Sequence, residues 1–144
     1  WLEPGREGIT INDATSAITR LLDLGVPYYL LQSTLTGVMA QRLVRTLCKH
    51  CKEVTDQVDE DKWKALVWPW TVRAPKQIGR TVGCLECRNT GYLGRTGIYE
   101  MFKISPELRR MIQKDLDLTA FSQAAIREGL RPLRLAAAQH VAAG

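Results

Sequence analysis

The chain has 144 residues, 45% hydrophobic and 24% charged, with a formal charge of +5. These are the proportions of a globular protein, long enough for one domain or two small subdomains, and no apolar run approaches the ~20 residues of a membrane span. The mild positive charge permits an acidic partner, nucleotide phosphates or a lipid headgroup surface, and demands none of them.

Residues 1–10 carry Pro4, Gly5 and Gly8 without periodicity and read as an extended lead-in. A helix is expected to start at Asn12 or Asp13, both good N-caps, with Ala14, Ala17, Ile18, Leu21 and Leu22 on one face and Gly25 at its end. Pro27 opens a second helix, in which Tyr28, Leu31, Leu35, Val38 and Met39 keep a helical spacing to about Ala40. Gln41–Leu47 alternates as a strand with Leu43 and Leu47 inward. Residues 52–61 are polar and acidic. Trp63, Leu66 and Val67 predict a short helix that Pro69 ends, and with Trp68 and Trp70 they form an aromatic cluster. Those rings read first as a mini-core for a long loop and second as a nucleic-acid surface. Gly91–Ile104 reads as a hairpin or a strand entered through a glycine-rich turn. Ser105-Pro106-Glu107 starts a helix with Leu108, Met111 and Ile112 inward. Another helix runs from about Thr119 to Gly129, and Pro132 opens an alanine-rich last one.

Chemistry concentrates in the only four cysteines, the pairs Cys48-Lys49-His50-Cys51 and Cys84-Leu85-Glu86-Cys87, separated by 32 residues. Two residues between cysteines make a tight turn that aims both sulfurs at one metal, and four thiolates close a tetrahedral Zn²⁺ site. Gly83 before the second pair and Asn89-Thr90-Gly91 after it supply turn positions. The intervening loop exceeds the usual spacing and must hold structure of its own. Two disulfides or a redox pair are the competing readings. Nothing in these residues looks like a secretory signal, the cysteine density of a secreted scaffold is lacking, and a redox role needs only one pair. His50 and His140 read as surface residues. The basic neighbours Arg45, Lys49, Lys52 and Arg88 would offset a zinc–thiolate cluster, whose four thiolates and one Zn²⁺ lower the +5 by two, to +3. There is no G-x-x-x-x-G-K-[ST] phosphate loop, no paired acids for Mg²⁺ and no Ser/His/Asp set, so no catalytic residue is identified.

Three segments in order resemble a known family: NDATSAITRLLDLGVPYYLLQSTLTGVMAQRLVRTLCKHCKE (Asn12–Glu53), GCLECRNTGYLGRTGIYEMF (Gly83–Phe102) and SPELRRMI (Ser105–Ile112). Together they look like the C-terminal part of the ATPases of type II secretion and type IV pilus assembly, with the secretion E subunit most similar. The resemblance implies an α/β fragment, the end of a RecA-like motor domain with a tetracysteine zinc subdomain and a small C-terminal helical region. Its expected parts are a lead-in at 1–10 without likeness to the family, a terminal piece of the motor core at 11–47, the zinc subdomain at 48–104 and the helical region at 105–144. It implies Zn as cofactor, held by Cys48, Cys51, Cys84 and Cys87, with ATP and Mg only in a full-length parent. The parent would be a homo-hexamer, cytoplasmic and peripheral to the inner membrane, working with platform proteins of the secretion or pilus machine. In that assembly Arg42 or Arg95 would either stand near nucleotide or, as the structural alternative, pair with acids or cap carbonyls within the fold. No nucleic acid is expected, although a free-standing zinc ribbon binding nucleic acid is the alternative function.

The chain departs from the family pattern in three ways. The phosphate loop and acidic Mg²⁺ segments that lie upstream in the family are not in it. Ile9-Thr10-Ile11-Asn12-Asp13-Ala14 stands where the family carries a histidine before Thr-Asn-Asp-Ala. The family continues beyond the alanine-rich helix, so an excised fragment or a truncated gene product is expected.

Overall fold

A computed structural model describes residues 13–143. The lead-in at 1–10, the start of the departing segment from Ile9 to Asn12 and the Asn12 cap lie outside the described residues. The elements are α1 Ser16–Asp23, α2 Tyr28–Thr34, β1 Gly37–Leu47, β2 Glu53–Thr55, α3 Glu60–Val67, β3 Ile78–Arg80, β4 Tyr92–Lys103, α4 Pro106–Met111, α5 Leu118–Arg127 and α6 Leu133–Ala143. Strands β1 and β4 pair with each other, and β2 pairs with β3. The chain therefore has a mixed α/β architecture. It divides into two compact units, one of residues 13–40 with 101–130 and one of residues 41–100 with 131–143.

The first unit is built on capped helices around a small apolar core. Asp13 accepts the Ser16 backbone N–H at 2.7 Å and so opens α1, as its position predicts. Ser105 accepts the Leu108 N–H at 3.0 Å with Pro106 in the first turn of α4. Asp117 accepts two N–H groups, from Thr119 and Ala120, at the start of α5. Where α5 ends, the Leu130 N–H reaches back to the Ala125 carbonyl, which places the Leu130 side chain in the core. Ile18, Leu108, Ile112 and Phe121 are fully buried there, and Phe102 meets Phe121 edge-on at 6.0 Å. Arg109 donates to the Gln32 and Leu35 carbonyls at the end of α2, and the Gln32 side chain donates to the Ile112 carbonyl at 2.7 Å. Two helices distant in sequence are thereby joined through otherwise orphaned backbone groups.

The second helix is shorter than its spacing predicts. It ends at Thr34, and Val38, Met39 and Ala40 belong to β1. Leu31, Leu35 and Val38 fit a helical period, but the Ile104 N–H donates to the Thr36 carbonyl at 3.0 Å, and Gly37 packs against the Phe102 carbonyl. A helix through Ala40 would leave this stretch of β4 and the Ile104 N–H without partners, and pairing with them overrides the local preference. Leu43 is also misplaced by the sequence reading: it is 59% exposed, and its neighbours Arg42 and Val44 face inward. Starting β1 at Gly37 gives the strand a long alternating pattern in which odd positions up to Arg45 point outward and Leu47 is half-buried.

In the second unit, the 32-residue span between the cysteine pairs does contain structure. Its ends pair as the antiparallel ladder Glu53↔Arg80, Val54↔Gly79, Thr55↔Ile78. Between them, Asp59 caps α3 by accepting the Lys62 N–H at 3.0 Å. Trp63 and Val67 of α3 pack with Leu135 and Ala138 of α6, and Trp70 lies against this cluster. The Trp63 indole N–H donates to the Val72 carbonyl at 2.9 Å, so a large ring is buried with its polar atom satisfied. The mini-core reading holds for Trp63 and Trp70, whereas Trp68 is 69% exposed. Gly91–Ile104 resolves as the single long strand β4.

Candidate metal centre

The first cysteine pair follows β1 directly, and the second sits between β3 and β4. Each pair forms a reverse turn. The Cys51 and Lys52 N–H groups return to the Cys48 carbonyl, and the Asn89 N–H donates to the Cys84 carbonyl at 2.8 Å. The Cys48 N–H donates to the Gly91 carbonyl at 2.9 Å and ties the first turn to the exit of the second. That exit needs three left-handed positions within four residues: Arg88 at φ 53°, Asn89 at φ 58° and, after Thr90, Gly91 at φ 75°. At Gly91 a Cβ would fall 2.6 Å from the Thr81 Cβ, so glycine is required there for space as well as for its backbone angle.

The four sulfurs lie within 4.8 Å of one another. Cys48–Cys84 and Cys51–Cys87 are each 3.8 Å apart, and Cys84–Cys87 is 3.7 Å. A tetrahedral centre with metal–sulfur bonds of about 2.3 Å has sulfur–sulfur edges of about 3.8 Å. All four are free thiols, separated by more than the ~2 Å of a sulfur–sulfur bond. Backbone amides point at two of them. Gly83 donates to Cys51 at 3.3 Å, and both Cys84 and Gly91 donate to Cys87 at 3.2 Å. Burial pushes the Cys51 thiol up to about 12 against the opposing Gly83 N–H. Burial acts the same way on Cys87, but the two backbone donors and the neighbouring Cys84 and Cys51 thiols bring it down to about 6. N–H groups aimed at sulfur stabilise thiolate, the form that ligates metal. Donor number, softness and spacing all fit one Zn²⁺, and with four protein ligands no position is left for water.

A match to the family model described as Type II/IV secretion system protein spans residues 8–144. The chain belongs to that family. The match begins inside the segment read as a lead-in. Among curated relatives, the chain is 44% identical over 133 residues to the type IV pilus assembly ATPase TfpB of Acinetobacter baylyi, covering 92% of this chain and 23% of that protein. It is 46% identical over 105 residues to the type II secretion system protein E of Pseudomonas aeruginosa, covering 72% and 20%. It is 40% identical over 104 residues to the type II secretion system ATPase E of Vibrio cholerae, again covering 72% and 20%. The chain thus spans between a fifth and a quarter of the length of these family members.

The other residues singled out in this family member fall outside the sulfur cluster. Arg42 is half-buried in β1, and Arg95 is exposed in β4. His50 and His140 are exposed, as expected. Arg45 stacks over the Tyr92 ring at 4.1 Å, a role its sequence position did not suggest. Two further residues escaped sequence reading. Thr90 donates its hydroxyl to the Cys87 carbonyl at 2.6 Å and locks the second turn. Glu100 is 3% exposed and accepts the Leu133 N–H at 2.8 Å, which gives α6 the cap its own sequence lacks. The alternation Ile98, Glu100, Phe102 already placed that carboxylate on the inward face of β4.

Among the described residues no helix is long and apolar enough to cross a membrane.

Proposed function

We propose that the chain is the zinc-bearing C-terminal region of a hexameric motor ATPase that drives type II secretion or type IV pilus assembly. In this reading Cys48, Cys51, Cys84 and Cys87 hold one Zn²⁺, whose chemistry is structural: it replaces a larger hydrophobic core in the lobe from Arg45 to Glu100. Residues 11–47 end the RecA-like motor core, 48–104 form the zinc subdomain and 105–144 form the C-terminal helical region. The lobe transmits motor movement or meets inner-membrane platform proteins. ATP and Mg²⁺ act elsewhere in the parent, since this chain carries no phosphate loop, and Arg42 or Arg95 approaches nucleotide only in the assembled parent. The parent works in the cytoplasm, peripheral to the inner membrane through its partners.

The observation that carries this reading is the clustering of four thiols within 4.8 Å of one another between β1 and β4, in a chain similar along most of its length to proteins named as secretion and pilus ATPases. The test is the parent's reading frame and its activity. A phosphate loop upstream of residue 1, with ATP hydrolysis by the parent and none by this chain alone, is the expected result. A parent without any phosphate loop contradicts the proposal.

A further inference from the structure

The stretch from Lys62 to Gly83 holds five cations and no acid. Three of these cations are paired with acids that lie before it. Lys62 meets Asp59 at 2.9 Å, Lys64 meets Glu60 at 3.7 Å and Asp61 at 3.8 Å, and Arg80 meets Glu53 at 2.6 Å. Arg73 and Lys76 have no ion pair among the described residues, and both are exposed. They line the same open groove of about 680 Å³ between α3 and the loop that follows it. The apolar part of that groove is formed by Val67, Trp68, Trp70, Val72 and Pro75. Trp68 and Val72 are 69% and 44% exposed, so large apolar surface faces solvent in a concave setting. The other indoles are held: Trp63 by its bond to the Val72 carbonyl, and Trp70 by the core cluster and by the Arg134 guanidinium 5.9 Å from its ring centre. The groove thus has a braced aromatic floor, one free indole and two unpaired cations.

We infer that this groove docks a short segment of a partner protein in which an aliphatic or aromatic side chain is flanked by carboxylates. The anchor covers Trp68 and Val72, and the carboxylates meet Arg73 and Lys76. Charge selects this occupant over two others. A nucleic-acid strand brings a phosphate at every step, more negative charge than Arg73 and Lys76 can offset beside Asp56 and Glu60, which line the same groove, whereas a pair of carboxylates matches the two cations one for one. An anionic bilayer favours apolar and cationic groups projecting from one face, whereas this apolar surface is recessed. The inference rests on the reading of the zinc lobe as a contact module and names the chemistry of the contact.

The test uses the zinc-loaded chain and a synthetic peptide carrying one leucine flanked by glutamates in a glycine–serine context, followed through tryptophan fluorescence. Saturable binding is expected, weakened about tenfold when Arg73→Gln and Lys76→Gln are combined and also weakened by Trp68→Ala, with zinc content unchanged. The same peptide with lysines in place of glutamates should not bind. The inference is overturned if the glutamate peptide does not bind a fully zinc-loaded chain, or if it binds the Gln variants equally well. It is overturned equally if phosphatidylglycerol vesicles or oligouridylate bind through Arg73 and Lys76 while the peptide does not. Zinc content measured on the same samples separates the two readings. Peptide binding without zinc contradicts the metal lobe and leaves the groove standing.

Discussion

Cys48 is wholly buried, and its sulfur is 3.8 Å from that of Cys84. Cys48→Ser replaces a soft thiolate with a hydroxyl that does not ionise near neutral pH. The variant should lose most of its zinc, measured by elemental analysis, and with it the near-ultraviolet tryptophan signal of the second unit. Phe121 tests the first unit independently of the metal. It is wholly buried against Phe102, and Phe121→Ala should lower stability by about 3–5 kcal/mol in urea denaturation with zinc content unchanged. Asp59 sets a pH dependence. The Lys62 backbone N–H, then its ammonium, hold this carboxyl below its usual value of 3.8. A carboxyl lowered on folding stabilises the folded state fully above its usual value, and that contribution fades as pH falls through the lowered one. Asp59→Asn should therefore flatten the acid limb of the tryptophan fluorescence below about pH 4. An unchanged acid limb would show that the α3 cap carries no such linkage.

At the scale of elements, local chemistry was legible wherever it acts over a few residues. Ser105 before Pro106, Asp13 before α1 and the two cysteine turns are each determined by a side chain and the backbone beside it. Ser105→Ala should cost about 1 kcal/mol by chemical denaturation, because the Leu108 N–H loses its acceptor. Elements set by distant partners were not legible. The spacing of Val38 and Met39 predicts helix to about Ala40, and the Ile104–Thr36 hydrogen bond makes these residues strand instead, across 68 residues, from 36 to 104. The error at Leu43 follows from the same cause, because misplacing the start of β1 hides the alternation that turns Leu43 outward. Glu100 is the opposite case. Its inward position could be read from alternation, but its task could not, since the helix it caps begins 33 residues later at Leu133.

At the scale of the whole chain, each unit has its own core, and neither is large. The first rests on apolar side chains centred on Phe121, the second on Trp63, Val67, Leu135 and Ala138 together with the sulfur cluster. A small unit with so small an apolar core needs a further constraint, and the proposed closed zinc site would supply one. The cysteine spacing made that site legible without any knowledge of the fold. The amides of Gly83, Cys84 and Gly91 that complete it were not legible, because backbone direction appears only once the turns are formed. The account turns on the claim that four cysteines and one Zn²⁺ hold the second unit together. The most direct test is near-ultraviolet circular dichroism of the purified chain while a chelator withdraws its zinc. The account predicts about one zinc per chain at the start and loss of the tryptophan signal in step with zinc release. A tryptophan signal that persists after the metal has gone would contradict it.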